Sequence, residues 1–166
     1  MNDENVSKEH KSRLFAKLFG DEKNKKNLLS LFNALNNTDY ADEDALEITT
    51  IENVVYMGMY NDVSCIIDNN MALYEHQSTV NPNMPLRGFM YTGKLYSKYV
   101  AARKKNLYGG RRIRLPTPQY YVFYNGTDEA EDRLEMKLSD AFEVTVPEPA
   151  LELKVVQLNI HEGHNE

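Results

Sequence analysis

At 166 residues, with 42% hydrophobic and 27% charged side chains, the chain has the size and make-up of a single globular domain spanning 1–166. It has no apolar run of the roughly 18 to 20 residues that cross a membrane as a helix, and its first residues, MNDENVSKEHKSR, are polar and mixed in charge, so neither a membrane-spanning helix nor a signal-type stretch is expected in it. Cys65 is the single cysteine, which rules out an internal disulfide and fits a cytoplasmic setting.

In chain order, residues 7–19 read as a short amphipathic helix, with Leu14, Phe15, Leu18 and Phe19 at helical spacing. Gly20 ends it. Asp21 caps a second helix running to Asn36, whose apolar face holds Leu28, Leu31, Phe32 and Leu35. After an acidic connector, 46–77 is rich in Ile, Val, Thr, Tyr and Met, and reads as β structure. Within it, 62–68 and 71–77 flank Asn69-Asn70, a pair that suits a tight hairpin turn. Asn83 and Pro85 open a long helix reaching about Asn106, with a predicted apolar seam of Leu86, Phe89, Met90, Gly93, Tyr96 and Val100. A Gly-, Arg- and Pro-rich loop leads to an aromatic strand at 119–124, closed by Asn125-Gly126. An acidic stretch, 128–148, precedes a last strand at 151–160. The predicted fold is α/β, an α+β mixed sheet flanked by helices.

The net charge of −6 hides a strong asymmetry. Residues 86–116 hold nine Lys and Arg and no acid, leaving ten bases against all 25 acids in the rest of the chain. On the long helix, Arg87, Lys94, Lys98 and Lys105 fall in one stripe roughly 100° from the predicted seam, so one face can dock while its neighbour stays wet and positive. Such a stripe is either a solvated lysine-rich face or the footprint of a polyanion site.

The hairpin carries the chemistry. With Asn69-Asn70 as a two-residue turn, Asp68 faces Met71, Asp62 lies opposite Gln77, and Glu75 is its diagonal neighbour on the same face. Two converging carboxylates repel, and a divalent cation such as Mg²⁺ is a natural compensator. The same residues also suit a plain hairpin end, with Asp62 an edge acid and Glu75 an exposed gatekeeper. His76 points to the other side of the strand, where it serves packing.

The run NDVSCIIDNNMALYEHQSTVNPNMPLRGFMYTGKLYSK, at 61–98, resembles the Rpn family of recombination-promoting nucleases, or putative transposases, of the PD-(D/E)XK nuclease superfamily. LFAKLFGDEKN, LEITTIENVVYMGMYND, PTPQYYVFYNGT and LELKVVQLNI follow the same family in order, so the resemblance covers nearly the whole chain. It implies a restriction-endonuclease-like core without the family's usual C-terminal extension. It further implies a DNA endonuclease that hydrolyses phosphodiesters with Mg²⁺ or Mn²⁺, acting in DNA recombination. Asp62 and Glu75 would be its metal-binding acids and the His76 backbone carbonyl a further ligand. Gln77 would stand where the wider superfamily has a lysine, able to orient water or phosphate by hydrogen bonds alone. Asp62, Glu75 and Gln77 would then be catalytic, and Arg87, Lys94, Lys98, Arg111, Arg112 and Arg114 would contact DNA phosphates. Nucleases that cut both strands often act as dimers, so the resemblance is compatible with a homodimer without fixing the oligomeric state. The sequence departs from the family at Lys11-Ser12-Arg13, where an acid often precedes the residue matching Phe15. With Gln77, that departure suits a second reading: a catalytically inactive nucleic-acid-binding or protein-interaction module on the same fold.

Overall fold

The computed structural model describes residues 3–50 and 62–161, with side chains from His10 onward. Much of the stretch read as β structure between Leu46 and Asp62 lies outside the described residues. Three helices, α1 (Asp3–Gly20), α2 (Lys25–Asn36) and α3 (Met84–Ala102), accompany six strands. These are β1 (Glu47–Ile48), β2 (Val63–Ile67), β3 (Asn70–Gln77), β4 (Thr117–Tyr124), β5 (Arg133–Lys137) and β6 (Lys154–Asn159). The sheet order is β1-β2-β3-β4-β6-β5. β1, β2 and β3 form an antiparallel meander, α3 crosses over to a parallel β4, and β6 runs parallel to β4 with β5 antiparallel on its far side. The predicted mixed sheet with flanking helices is therefore present.

Strand alternation divides the core into two layers. Val63, Cys65, Ile67, Ala72, Tyr74 and Phe123 face Phe15 of α1 and Leu28, Leu29 and Phe32 of α2. Ile66, Met71, Leu73, Tyr120, Val122 and Val155 face Met84, Tyr91 and Leu95 of α3. Central strands buried on both sides read as near-continuous apolar runs, and β2 is buried at every position.

Three predicted details are corrected. Asp21 caps a 3₁₀ turn, Glu22–Asn24, that precedes α2, and its side chain accepts from the Lys23 N–H. In α1, Phe15 is buried while Leu14 and Leu18 remain exposed. The third concerns α3, whose buried face is Met84, Pro85, Gly88, Tyr91, Thr92 and Leu95, leaving Leu86, Phe89 and Met90 exposed. The cause is Gly88: a Cβ there would lie 2.1 Å from the Tyr120 ring, so this glycine lets the helix backbone settle onto β4. β5 lies inside the acidic stretch 128–148, where RLEMK alternates charged with apolar residues at the edge of the sheet.

Candidate metal and nucleic-acid site

The β2–β3 turn is Asp68-Asn69, one residue earlier than Asn69-Asn70, with φ of 44° and 61°. Positive φ at both central residues matches a primed hairpin turn, and Asp and Asn tolerate it. Asn70 is drawn into β3 because that strand pairs with β4 from Asn70↔Thr117 onward, and the Asn69 carbonyl accepts from Thr117 N–H at 2.8 Å. The hairpin pairs run Ile67↔Asn70 to Val63↔Tyr74. Moving the pairing by two residues leaves every side chain on its predicted face. Extended one step, the ladder sets Asp62 directly opposite Glu75, with Gln77 as the diagonal neighbour. Two carboxylates and the amide thus converge on the α3 face, closer than predicted.

Asp62 and Glu75 are 4% and 2% exposed, so neither is an exposed edge or gatekeeper acid. Protein donors surround Glu75. Arg87 Nη2 lies 2.6 Å from its Oε1, Gln77 Nε2 also donates to Oε1, and the Tyr120 hydroxyl donates to Oε2. Asp62 has no such shell: its Oδ2 is buried with no hydrogen-bond partner among the described residues. Burial, then the Glu75 charge, pushes the Asp62 carboxyl up to about 8, against a smaller lowering by Arg87. Burial also raises Glu75, opposed by Arg87, Tyr120 and Gln77. With most of the compensating donors on Glu75, Asp62 has fewer groups to offset its charge. Burial raises the Tyr120 hydroxyl well above its ordinary range, followed by the Glu75 and Asp62 charges, so it stays a donor.

His76 lies on the opposite face, its Nδ1 3.1 Å from Ser12 Oγ and its ring 5.9 Å from Phe15. Burial, then Lys11, lowers its pKa. Its side chain packs under α1, as alternation predicts. Its carbonyl has another orientation. Gln77 O accepts from Asn125 N–H on the β4 side, so the preceding carbonyl, that of His76, turns to the β2 side, towards Asp62.

The residues fit a hard divalent cation. With both acids ionised, as a bound cation would have them, two carboxylates and one guanidinium leave a single net negative charge under burial, and Asp62 offers an oxygen without a partner among the described residues. Among the described residues no group of three His, Cys, Asp or Glu gathers in one place, and Asp62 and Glu75 supply two such donors.

The predicted DNA-contacting residues separate into three places. Arg87 leaves the wet stripe, a correction that follows from the rotated face of α3: it borders the buried side and turns inward to Glu75. Lys94 and Lys98 remain exposed along α3. Arg111, Arg112 and Arg114 are exposed too, but lie beyond the far end of α3, about 20 Å from Glu75 at 1.5 Å per helical residue. Sequence reasoning missed Tyr120 as a site residue, assigning it to a core strand. Its place beside Glu75 depends on the Leu73↔Tyr120 parallel register, which a helical crossover does not announce in sequence. Gln157 was also missed. It is 1% exposed on the α3 face, and neither amide atom has a partner among the described residues.

Compared with protein-family models, curated proteins and solved structures, the chain matches none.

Proposed function

We propose that this protein is a metal-dependent DNA endonuclease of the recombination-promoting, PD-(D/E)XK type. The observation that carries the reading is the buried Asp62–Glu75 pair with one carboxylate oxygen left unpartnered. A fold that buries two acids side by side needs a proton or a cation there, and a nuclease uses the cation.

Asp62 Oδ2 and Glu75 would hold Mg²⁺ or Mn²⁺, with the His76 carbonyl as a further oxygen donor. When bound, the ion supplies activation of water and neutralisation of charge on a phosphodiester. Arg87, Tyr120 and Gln77 fix the Glu75 carboxylate in one orientation. Gln77 is half-buried and its amide can also orient water or a phosphate oxygen. Lys94 and Lys98 extend positive charge along α3 from this end, where a DNA backbone would lie.

One observation favours a second reading, a catalytically inactive module on the same fold. Both Glu75 oxygens already accept from protein donors, an arrangement that also suits a purely structural ion pair. A plasmid-cleavage assay separates the two. The nuclease reading predicts nicking or linearisation with Mg²⁺ or Mn²⁺ that is lost in Asp62→Ala and in Glu75→Ala. Nicking that persists unchanged in both variants, or none by the wild type, sinks it.

A further inference from the structure

The densest positive charge on the molecule lies away from the carboxylates. Residues 103–116, between α3 and β4, contain six bases and no acid. Arg103 is committed to structure, pairing with Glu47 at 2.6 Å and lying 3.9 Å over the Tyr99 ring. Lys104, Lys105, Arg111, Arg112 and Arg114 make no ion pair among the described residues and are exposed. Lys105, Arg111, Arg112 and Arg114 line a concavity of about 600 Å³ together with Asn106 and the Gly109-Gly110 backbone.

An aromatic ring lies within this charged run in sequence, outside the lining of the concavity. Tyr108 is 98% exposed and its neighbour Leu107 69% exposed. The segment is a built turn: Asn106 Oδ1 accepts the Tyr108 N–H at 3.0 Å and Asn106 O accepts the Gly109 N–H at 3.2 Å. A turn closed by its own hydrogen bonds presents the ring with little ordering left to do on binding. A water-exposed tyrosine in a loop whose cations make no ion pair among the described residues has the elements of single-strand recognition, a π-face for a base and charge for the backbone. Duplex DNA covers its base faces by stacking, and an acidic peptide has no flat face to offer.

We infer that the 103–116 loop is a second binding site, for a single-stranded polynucleotide, in which an unpaired base stacks on Tyr108 while phosphates lie against Lys104, Lys105, Arg111, Arg112 and Arg114. The site is separate from the carboxylates. Thr117 pairs with Asn70, five residues before Glu75 along β3, or about 17 Å at 3.3 Å per residue. It therefore does not depend on cleavage.

The chain has no tryptophan, so Tyr108→Trp gives a single indole, excited selectively over the tyrosines, at the tip of the turn. The full chain, in chelator, is titrated with a thymidine oligonucleotide of about 15 nucleotides, within the roughly 4–16 that such surfaces span. Stacking quenches the indole emission. Tyr108→Ala weakens single-strand affinity by about 5- to 100-fold, the range of one base–aromatic stack, and leaves duplex affinity unchanged. Replacing Arg111, Arg112 and Arg114 by Gln lowers the single-strand salt slope by about 2. An RNA oligonucleotide of matching sequence shows whether the sugar is read. Absence of quenching overturns the inference, as does equal loss of duplex affinity in Tyr108→Ala. Quenching by poly-glutamate as strong as by the oligonucleotide overturns it in favour of an acidic protein partner. Because no divalent ion is present, these outcomes stand whether or not the plasmid assay detects cleavage.

Discussion

Asp62 sits where a carboxylate is hard to keep ionised, and stability should show this. An unfolded Asp titrates near 3.9. In the folded protein burial moves Asp62 up to about 8. Between those values the native state holds a proton that the unfolded state has lost, so stability falls as pH rises through the window and levels off above it. The slope is at most about 1.4 kcal/mol per pH unit, that of one proton. Urea unfolding from pH 5 to 8 in chelator should show this decline in the wild type and a flatter profile in Asp62→Asn, which cannot ionise. Mg²⁺ or Mn²⁺ should restore the wild type at pH 8 and leave Asp62→Asn little changed, because an ion bound only to the native state stabilises it by mass action. Equal pH profiles for the two proteins would show that Asp62 is ionised without cost. Glu75 poses the opposite problem. Burial raises its pKa too, but three protein donors oppose the rise, and Arg87 supplies the charge that makes its burial tolerable.

At the scale of elements, the sequence was most informative where pattern and burial coincide. Alternation in β2 and β3 put Asp62, Glu75 and Gln77 on one face, and that survived a turn displaced by one residue because the pairing shifted by two. The α3 face was not legible in the same way. Leu86, Phe89 and Met90 are more apolar than Gly88 and Thr92, so hydrophobic spacing chose them, yet the helix buries the smaller residues. Closeness of approach decided the matter, and a glycine carries no hydrophobic signal. Rotating α3 also took Arg87 from the wet stripe into the site, so one misread face displaced one site residue. The parallel neighbours were the least legible, since a helical crossover leaves register free. Tyr120 and Gln157 therefore had no local signal. Gly88→Ala tests the packing argument. A methyl group 2.1 Å from the Tyr120 ring forces the helix or the ring to move, and overpacking of this kind costs about 1–3 kcal/mol. Urea unfolding should show a lower midpoint with an unchanged slope. A Gly88→Ala protein as stable as the wild type would mean that α3 does not rest on β4 this closely.

Across the whole molecule, the question is how a chain of net charge −6 would hold a polyanion. Uniform attraction is excluded, so binding would be confined to positive surfaces, and among the described residues α3 and the loop that follows it present two such surfaces. Lys94 and Lys98 lie along α3 about 10 and 17 Å beyond Arg87 at 1.5 Å per residue, within reach of a duplex whose scissile phosphate sits at the carboxylates. The 103–116 loop lies further on, at the end of the same helix. Arg87 is held by Glu75 and adds little to this external field. Each lysine that neutralises a phosphate on duplex DNA contributes about 0.9 to the slope of log affinity against log salt. Lys94→Gln combined with Lys98→Gln should therefore lower the duplex slope by about 2 and weaken binding most at low salt, where counterion release is largest. Fold stability should barely change, because both side chains are exposed and neither makes an ion pair among the described residues. An unchanged slope in the double variant, with the Arg111, Arg112 and Arg114 variant showing the full loss, would move the duplex path off α3. The loop would then be the principal nucleic-acid surface, and a duplex held there would have to span about 20 Å to reach Asp62 and Glu75.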